Sequence, residues 1–310
     1  MRWYSIEYVA AKQVSYVGVL YRHPTATDAY ELGFAPGIRE DYTYQIENHP
    51  NVHLPIVILD NDFHDPDVDR YLEQFERYDP SIAILGDAYT PREARALNSL
   101  ALDLKKRHPY KTFVSVPKCQ AAFDIFADDI VLGYAMGYST VKAEDVSEYS
   151  DWRGRKVHLL GGSPHKQYNV IEALTQPTLT EEPPADIVGM DWNGVQKAAY
   201  FGEYWSRTGW QPANQLSVRE TVRRSLRESK LFWQDRGVWP DTEPIDLYGP
   251  AVQEPEEPLY AANAKDITSR EQLEAAIVVG YDDYGTLAFQ TETECRWFEY
   301  SEGLPEFWEA

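Results

Sequence analysis

Short runs of apolar and β-branched residues recur along the chain at 14–20, 56–59, 82–85, 113–117, 130–136, 157–160 and 187–190. Most are apolar throughout instead of alternating, which is the pattern of strands covered on both faces and therefore of a parallel sheet. Helical spacing fills the gaps. Thr90-Pro-Arg-Glu93 is a capping box with proline at the first helical position, and Ala94, Leu97, Leu100, Ala101 and Leu104 supply the apolar stripe behind it. Asp67 to Tyr78 presents Val68, Leu72 and Phe75 on one side, Pro164 opens a helix carrying Tyr168, Ile171 and Leu174, and Gly194 to Trp205 makes a fourth. Strand then helix, repeated, predicts a βα architecture. With an eighth strand expected near Leu32 to Ala35, the predicted fold class is α/β, a (β/α)8 TIM-like barrel. An open doubly wound sheet fits less well, since no glycine-rich phosphate loop follows the first strand.

The character of the chain changes near residue 210. The expected organisation is a barrel domain over 1–210 and a C-terminal helical and β extension over 211–310 packed on it. Ser217 to Arg236 reads as a helix rich in cations, with Arg219, Arg223, Arg224, Arg227 and Lys230. Either these arginines contact nucleic-acid phosphates beside the barrel mouth, or they pair with helical carboxylates such as Glu220 and Glu228. Residues 238–258 are rich in Pro, Asp and Glu and read as irregular; Thr268 to Ile277 reads as a short capped helix, and 286–308 as one or two β segments.

Charge narrows the setting. Fifty acidic against twenty-nine basic residues give a formal net charge of −21. A hydrated carboxylate surface of this kind suits a salt-rich cytoplasm, although a binder of cationic partners would look similar. It also argues against ordinary nucleic-acid binding through a broad basic surface, leaving shape, stacking and a local basic patch. The two cysteines, Cys119 and Cys295, form no close pair of the kind structural zinc or a disulfide framework needs, so reduced thiols are expected. No signal peptide and no membrane-spanning run is apparent, and a soluble, cytoplasmic protein is expected.

Candidate chemistry lies at the strand ends. Asp60 and Asp62, Asp87 and Asp191 each follow an apolar run, and in a parallel barrel all would project from one rim into one pocket. Carboxylates that converge without cations have raised pKa values, as acid, base and nucleophile roles require. The alternative is that such aspartates cap the next helix, the role assigned to Asp65 before Pro66. The histidines are scattered and give a catalytic zinc centre little support, so no metal and no other cofactor is expected; His64 near Asp60 and Asp62 reads as a hydrogen-bonding residue. Ser163 near His165 lacks the Gly-x-Ser-x-Gly elbow of a serine hydrolase.

Read in order, these corners resemble the tRNA-guanine transglycosylase superfamily. Pro55 to Asp60 resembles the strand ending in Thr-Asp-Ser-Gly-Gly-Phe, and Ile82 to Pro91 resembles Met-Ala-Phe-Asp-Glu-Cys-Thr-Pro. Leu132 to Ser139 is similar to Gly-Tyr-Ala-Ile-Gly-Gly-Leu, and Val157 to Pro164 to Tyr-Leu-Met-Gly-Val-Gly-Thr-Pro. Asp186 to Asp191 stands where the family has Asp-Met-Phe-Asp. The resemblance spans 55–194. It departs from the family at Asn61-Asp62-Phe63, at Pro117-Lys118-Cys119 in place of Gln-Gly-Gly, and at Tyr138 in place of a glycine. The Cys/His zinc site of the tRNA enzymes is missing, which makes the chain more similar to the branch that places 7-deazaguanines in DNA.

What the resemblance implies is double displacement. Asp191 attacks C1′ of a deoxyguanosine and releases guanine, and an incoming 7-deazaguanine, in cyano or aminomethyl form, displaces the enzyme. Asp87 holds the base edge, with Gly137, Tyr138, Ser139, Gly161 and Gly162 as further substrate-binding positions, and Asp60 or Asp62 orients or deprotonates. The nucleotide must be flipped from duplex DNA, with Tyr138, Trp192 or Tyr89 stacking on it. The implied partners are DNA and the deazaguanine base, with no membrane and with a homo-oligomer as an option. Two other functions fit the same residues: a carboxylate-based N-glycosidase or nucleoside hydrolase, and a non-catalytic nucleic-acid-binding barrel.

Overall fold

The computed structural model describes residues 13–22, 24–48, 52–137, 140–177 and 183–251, together with the backbone of 252–253, 278–281, 287–290 and 295–298. Eight parallel strands close into a barrel in sequence order: β1 (Tyr16–Leu20), β2 (Ala35–Arg39), β3 (Ile58–Asp60), β4 (Ile82–Ala88), β5 (Thr112–Pro117), β6 (Val131–Ala135), β7 (Lys156–Leu160) and β8 (Asp186–Asp191). β1 pairs with both β2 and β8, with Gly18 opposite Asp191, so no edge is left open. The (β/α)8 barrel read from the hydrophobic runs is the fold.

Two layers of apolar packing hold it. Inside the barrel, Tyr16, Ala35, Ile58, Ile82, Ile84, Val114, Val116, Val131 and Ala135 form one cluster, so the interior is packed rather than a channel. Outside, two further clusters lie between the strands and the helices α1 (Thr25–Glu31), α2 (Val68–Tyr78), α3 (Pro91–Arg107), α4 (Pro164–Thr175), α5 (Gly194–Tyr200) and α6 (Val218–Asp235). The Thr90/Glu93 capping box is formed, and Ala94, Ala101 and Leu104 of α3 are buried. α2 buries Tyr71, Gln74 and Phe75, whereas Val68 is exposed at its first position.

Two boundaries differ from the sequence expectation. The second strand begins at Ala35 and runs to Arg39 through Pro36 and Gly37, which resemble loop residues but sit in register with Val57 and Ile58 of the neighbouring chain segment. The helix expected to reach Trp205 stops at Tyr200, because Gly202 takes a left-handed φ of +70° and a Cβ there would overlap the Asn214 side chain. Trp205 instead belongs to a hairpin, β9 (Glu203–Ser206) with β10 (Gly209–Pro212), inside which the expected boundary at 210 falls. The chain then returns through α6 to pack on α1, α4 and α5.

Within 238–258, Pro244–Tyr248 is helical and Val252–Gln253 pairs with Val52–His53, so part of the segment expected to be irregular is ordered. Further on, Val278–Tyr281, Leu287–Gln290 and Cys295–Phe298 make an antiparallel three-stranded sheet, the latter two strands within the stretch expected to be β. The helix expected at 268–277 lies outside the described residues. Among the described residues no helix is long and apolar enough to cross a membrane.

Candidate active site

A cavity of about 150 Å³ opens at the C-terminal ends of the strands, lined among others by Asp60, Asn61, Phe63, Asp87, Lys118, Gly137, Gly161, Asp191 and Asn193. A cavity of that order holds one small aromatic ring system. Three of the four carboxylates singled out in the sequence therefore meet in one place. Asp191 ends β8 and Asp87 lies near the end of β4, four strands away in a ring of eight, so the two stand on opposite walls. Asp60, at the end of β3, lies beside Asp87 on the strand order.

Asp191 is held at both oxygens. Its Oδ1 accepts the Gly161 N–H at 2.9 Å, and its Oδ2 is 3.3 Å from Nε2 of His158. Gly161 and Gly162 take φ of +69° and +79°, a turn that side-chain-bearing residues adopt at a cost, and it is this turn that aims the Gly161 N–H at the carboxylate. The Gln167 amide, on α4, donates to the carbonyls of both Gly161 and Asp191, tying the two corners together. On its far side the fully buried His158 ring meets the Tyr16 hydroxyl, 2.7 Å from Nδ1, with the two rings stacked at 5.4 Å. Burial, and then the nearby Asp191 charge, push the Tyr16 phenol far above its ordinary pKa, so it stays protonated. A tyrosine that donates to Nδ1 leaves the proton of a neutral imidazole on Nε2, facing Asp191.

Asp60 is the carboxyl most displaced from ordinary behaviour. Burial raises its pKa well above the usual carboxylate range, the Asp191 charge adds to this, and the Asn61 N–H at 2.9 Å opposes it. Asp87 is raised by burial and drawn back by Lys118 and by the Tyr89 hydroxyl, which donates to its Oδ2 at 3.1 Å. A bulge in the β4–β5 pairing between Ile84 and Gly86 sets the direction from which Asp87 enters the cavity. Lys118, directly after β5, is buried, 3.4 Å from Asp87 Oδ2, and donates to the Val141 carbonyl at 2.8 Å; burial lowers its pKa against the pull of Asp87.

Other expected positions fall elsewhere. Asp62 does not line this cavity: its Oδ1 accepts the His64 N–H in a local turn, as a structural aspartate does. Trp192 is buried against Trp205 and Trp210 and is not placed to stack on a base, whereas Phe63 lines the cavity. Tyr138 and Ser139 lie outside the described residues. Gly162 does not line the cavity; a Cβ there would meet the Met136 side chain.

The four arginines of α6 are engaged with carboxylates. Arg219 binds buried Asp28 of α1 at 2.8 and 3.0 Å, Arg223 approaches the same group at 3.6 Å, and Arg224 and Arg227 reach Glu220. That is the ion-pair alternative of the sequence reading, and for Arg219 it joins two helices of the outer ring. Among the described residues no group of three or more His, Cys, Asp or Glu side chains could hold a metal ion.

Tyr16, His158, Lys118 and Gln167 were not picked out as site residues from the sequence. The signal for two of them is present: a histidine inside the run Val157-His-Leu-Leu160, and a tyrosine two positions before Gly18, both inward positions by alternation.

The fold and the site define a (β/α)8-barrel protein with an acidic cavity at the carboxyl ends of its strands. The chain belongs to DUF6610, a family of unknown function, whose model matches residues 29–234 and so takes in Asp60, Asp87, Lys118, His158 and Asp191. No curated protein matches the chain in sequence. Among solved structures it is similar to the X-ray crystal structure of the YdjI aldolase from Escherichia coli K12, with 11% identity and a TM-score of 0.40 over 76% of this chain and 92% of that one.

Proposed function

We propose that this protein is an enzyme that exchanges guanine in DNA for a 7-deazaguanine base through a covalent glycosyl intermediate on Asp191. The observation that carries the reading is the placement of Asp191 and Asp87 on opposite walls of one cavity, with Asp60 on the same rim. A flipped guanine then spans the cavity with C1′ at Asp191 and its donor edge at Asp87. An oxygen of Asp191 bonds to C1′ as the C1′–N9 bond breaks, and the electron pair leaves on the guanine ring. Asp60, which holds its proton to higher pH than an ordinary carboxyl, protonates the departing base. The resulting carboxylate takes the N9 proton of the incoming deazaguanine, whose nitrogen attacks C1′ and frees Asp191. The Gly161 N–H and His158 orient Asp191 throughout, and Phe63 offers an aromatic face for the base.

DNA is favoured over tRNA by the absence from the sequence of the clustered Cys/His zinc ligands. The test is incubation with guanine-containing DNA and 7-cyano-7-deazaguanine in high salt, with tRNA in parallel, followed by digestion and nucleoside mass spectrometry. Deazaguanine nucleoside in DNA, lost in Asp191→Asn, is the expected result. Guanine released without incorporation would instead mark a hydrolase built on the same carboxylates, and no change to either nucleic acid would reject both reactions.

A further inference from the structure

Lys118 is a buried cation on the cavity wall that the exchange steps do not use. Its side chain is 1% exposed, and taking an ammonium that far from water is costly, a cost that pairing offsets. Its partners include Asp87 Oδ2 and the Val141 carbonyl, and both it and Asp87 line the cavity. Side by side they offer an incoming ring an acceptor and then a donor. The complement is a ring N–H next to a ring carbonyl, the lactam edge of a 6-oxopurine. A 6-aminopurine presents the reverse order, setting its amino group against the ammonium and its ring nitrogen lone pair against the carboxylate.

The strand order fixes the rest of the orientation. Asp87, Lys118, Gly137, Gly161 and Asp191 follow one another around the rim from β4 to β8. With N1–H on Asp87 and O6 on Lys118, position 7 of the base turns toward Gly137 and Gly161, which have no side chains to obstruct a substituent. The glycosidic nitrogen then reaches Asp191.

We propose that Lys118 is the specificity-determining residue of this cavity, selecting with Asp87 for bases that carry a ring N–H beside a carbonyl, 6-oxopurines and their 7-deaza analogues, over 6-aminopurines. The proposal deepens the exchange reading and rests on it for the base edge facing Asp87.

Calorimetric binding of 7-cyano-7-deazaguanine, hypoxanthine and adenine to the full chain tests it. Wild type is expected to prefer both oxo bases to adenine by about tenfold or more, the scale of one mispaired polar contact, and Lys118→Met to lose that preference while remaining folded. Lys118→Gln, whose amide still donates, keeps the order of preference and serves if the methionine variant fails to fold. Equal binding of adenine, an unchanged preference in Lys118→Met, a lost preference in folded Lys118→Gln, or no base binding to wild type overturns the proposal. Selective base binding without exchange into DNA would retain Lys118 and reject the exchange; exchange with a preference independent of Lys118 would do the opposite.

Discussion

Asp60 carries a cost that its position makes unavoidable. The folded protein holds the Asp60 proton to higher pH than the unfolded chain does, because burial and the Asp191 charge disfavour its ionised form. Stability contributed at this site is therefore present at acidic pH, falls as pH rises above the ordinary carboxylate range, and levels off beyond the raised folded pKa. Asp60→Asn, neutral throughout, should match wild type at acidic pH and gain on it steadily through that window, as read from denaturant midpoints at a series of pH values, while losing exchange. Tyr16 makes the opposite contribution. Tyr16→Phe leaves a buried imidazole nitrogen without its hydroxyl partner, and should cost about 1–3 kcal/mol of stability by denaturant unfolding. At this scale Asp60, Asp87 and Asp191 were legible because each ends an apolar run. Their supports were not, since a histidine or a tyrosine inside a strand becomes visible as a partner only when strands 142 positions apart in sequence, Tyr16 and His158, are brought together.

The strand β8 shows how an element is shaped by what it faces. Gly189 lies opposite Tyr16, and a Cβ there would overlap the phenol ring. Gly189→Ala should therefore displace Tyr16, cost roughly 1–3 kcal/mol as overpacked core substitutions do, and lower exchange through Asp191 two residues on; thermal unfolding and the nucleoside assay read the two effects. The β strands and the long capped helices were readable because their local patterns agree with the packed structure: Thr90 and Glu93 cap α3 as their spacing requires. β2 is hard to place from sequence because Pro36 and Gly37 look like a turn, while in the barrel the Pro36 carbonyl accepts from Val57 and the proline contributes to the ladder as an acceptor. The end of the helix after β8 is hidden in the sequence because Gly202 sits within an otherwise helical-looking stretch. Composition alone left open whether the α6 arginines face phosphate or carboxylate, and it was settled for Arg219 by Asp28, 191 positions away.

The molecule as a whole carries a charge of −21, and self-repulsion opposes its compact state. Raising KCl from about 0.1 M to about 1 M shortens the Debye length from roughly 10 Å to 3 Å, so the unfolding temperature should rise with salt; a fall would contradict an acidic surface suited to concentrated salt. The same charge leaves little counterion release to drive DNA binding, so exchange should persist in molar salt where ordinary DNA-binding proteins dissociate. The barrel's part in this is to bring groups from eight strands to one rim, and in the proposed reaction one of those groups, Asp191, bonds to a sugar. Mixing the protein with guanine-containing DNA and no incoming base, denaturing, and mapping the adduct by peptide mass spectrometry tests that directly. A denaturant-resistant protein–DNA species attached at Asp191 and absent from Asp191→Asn is expected; base exchange by a protein that forms no such species, or forms it at another residue, would rule out attack by Asp191.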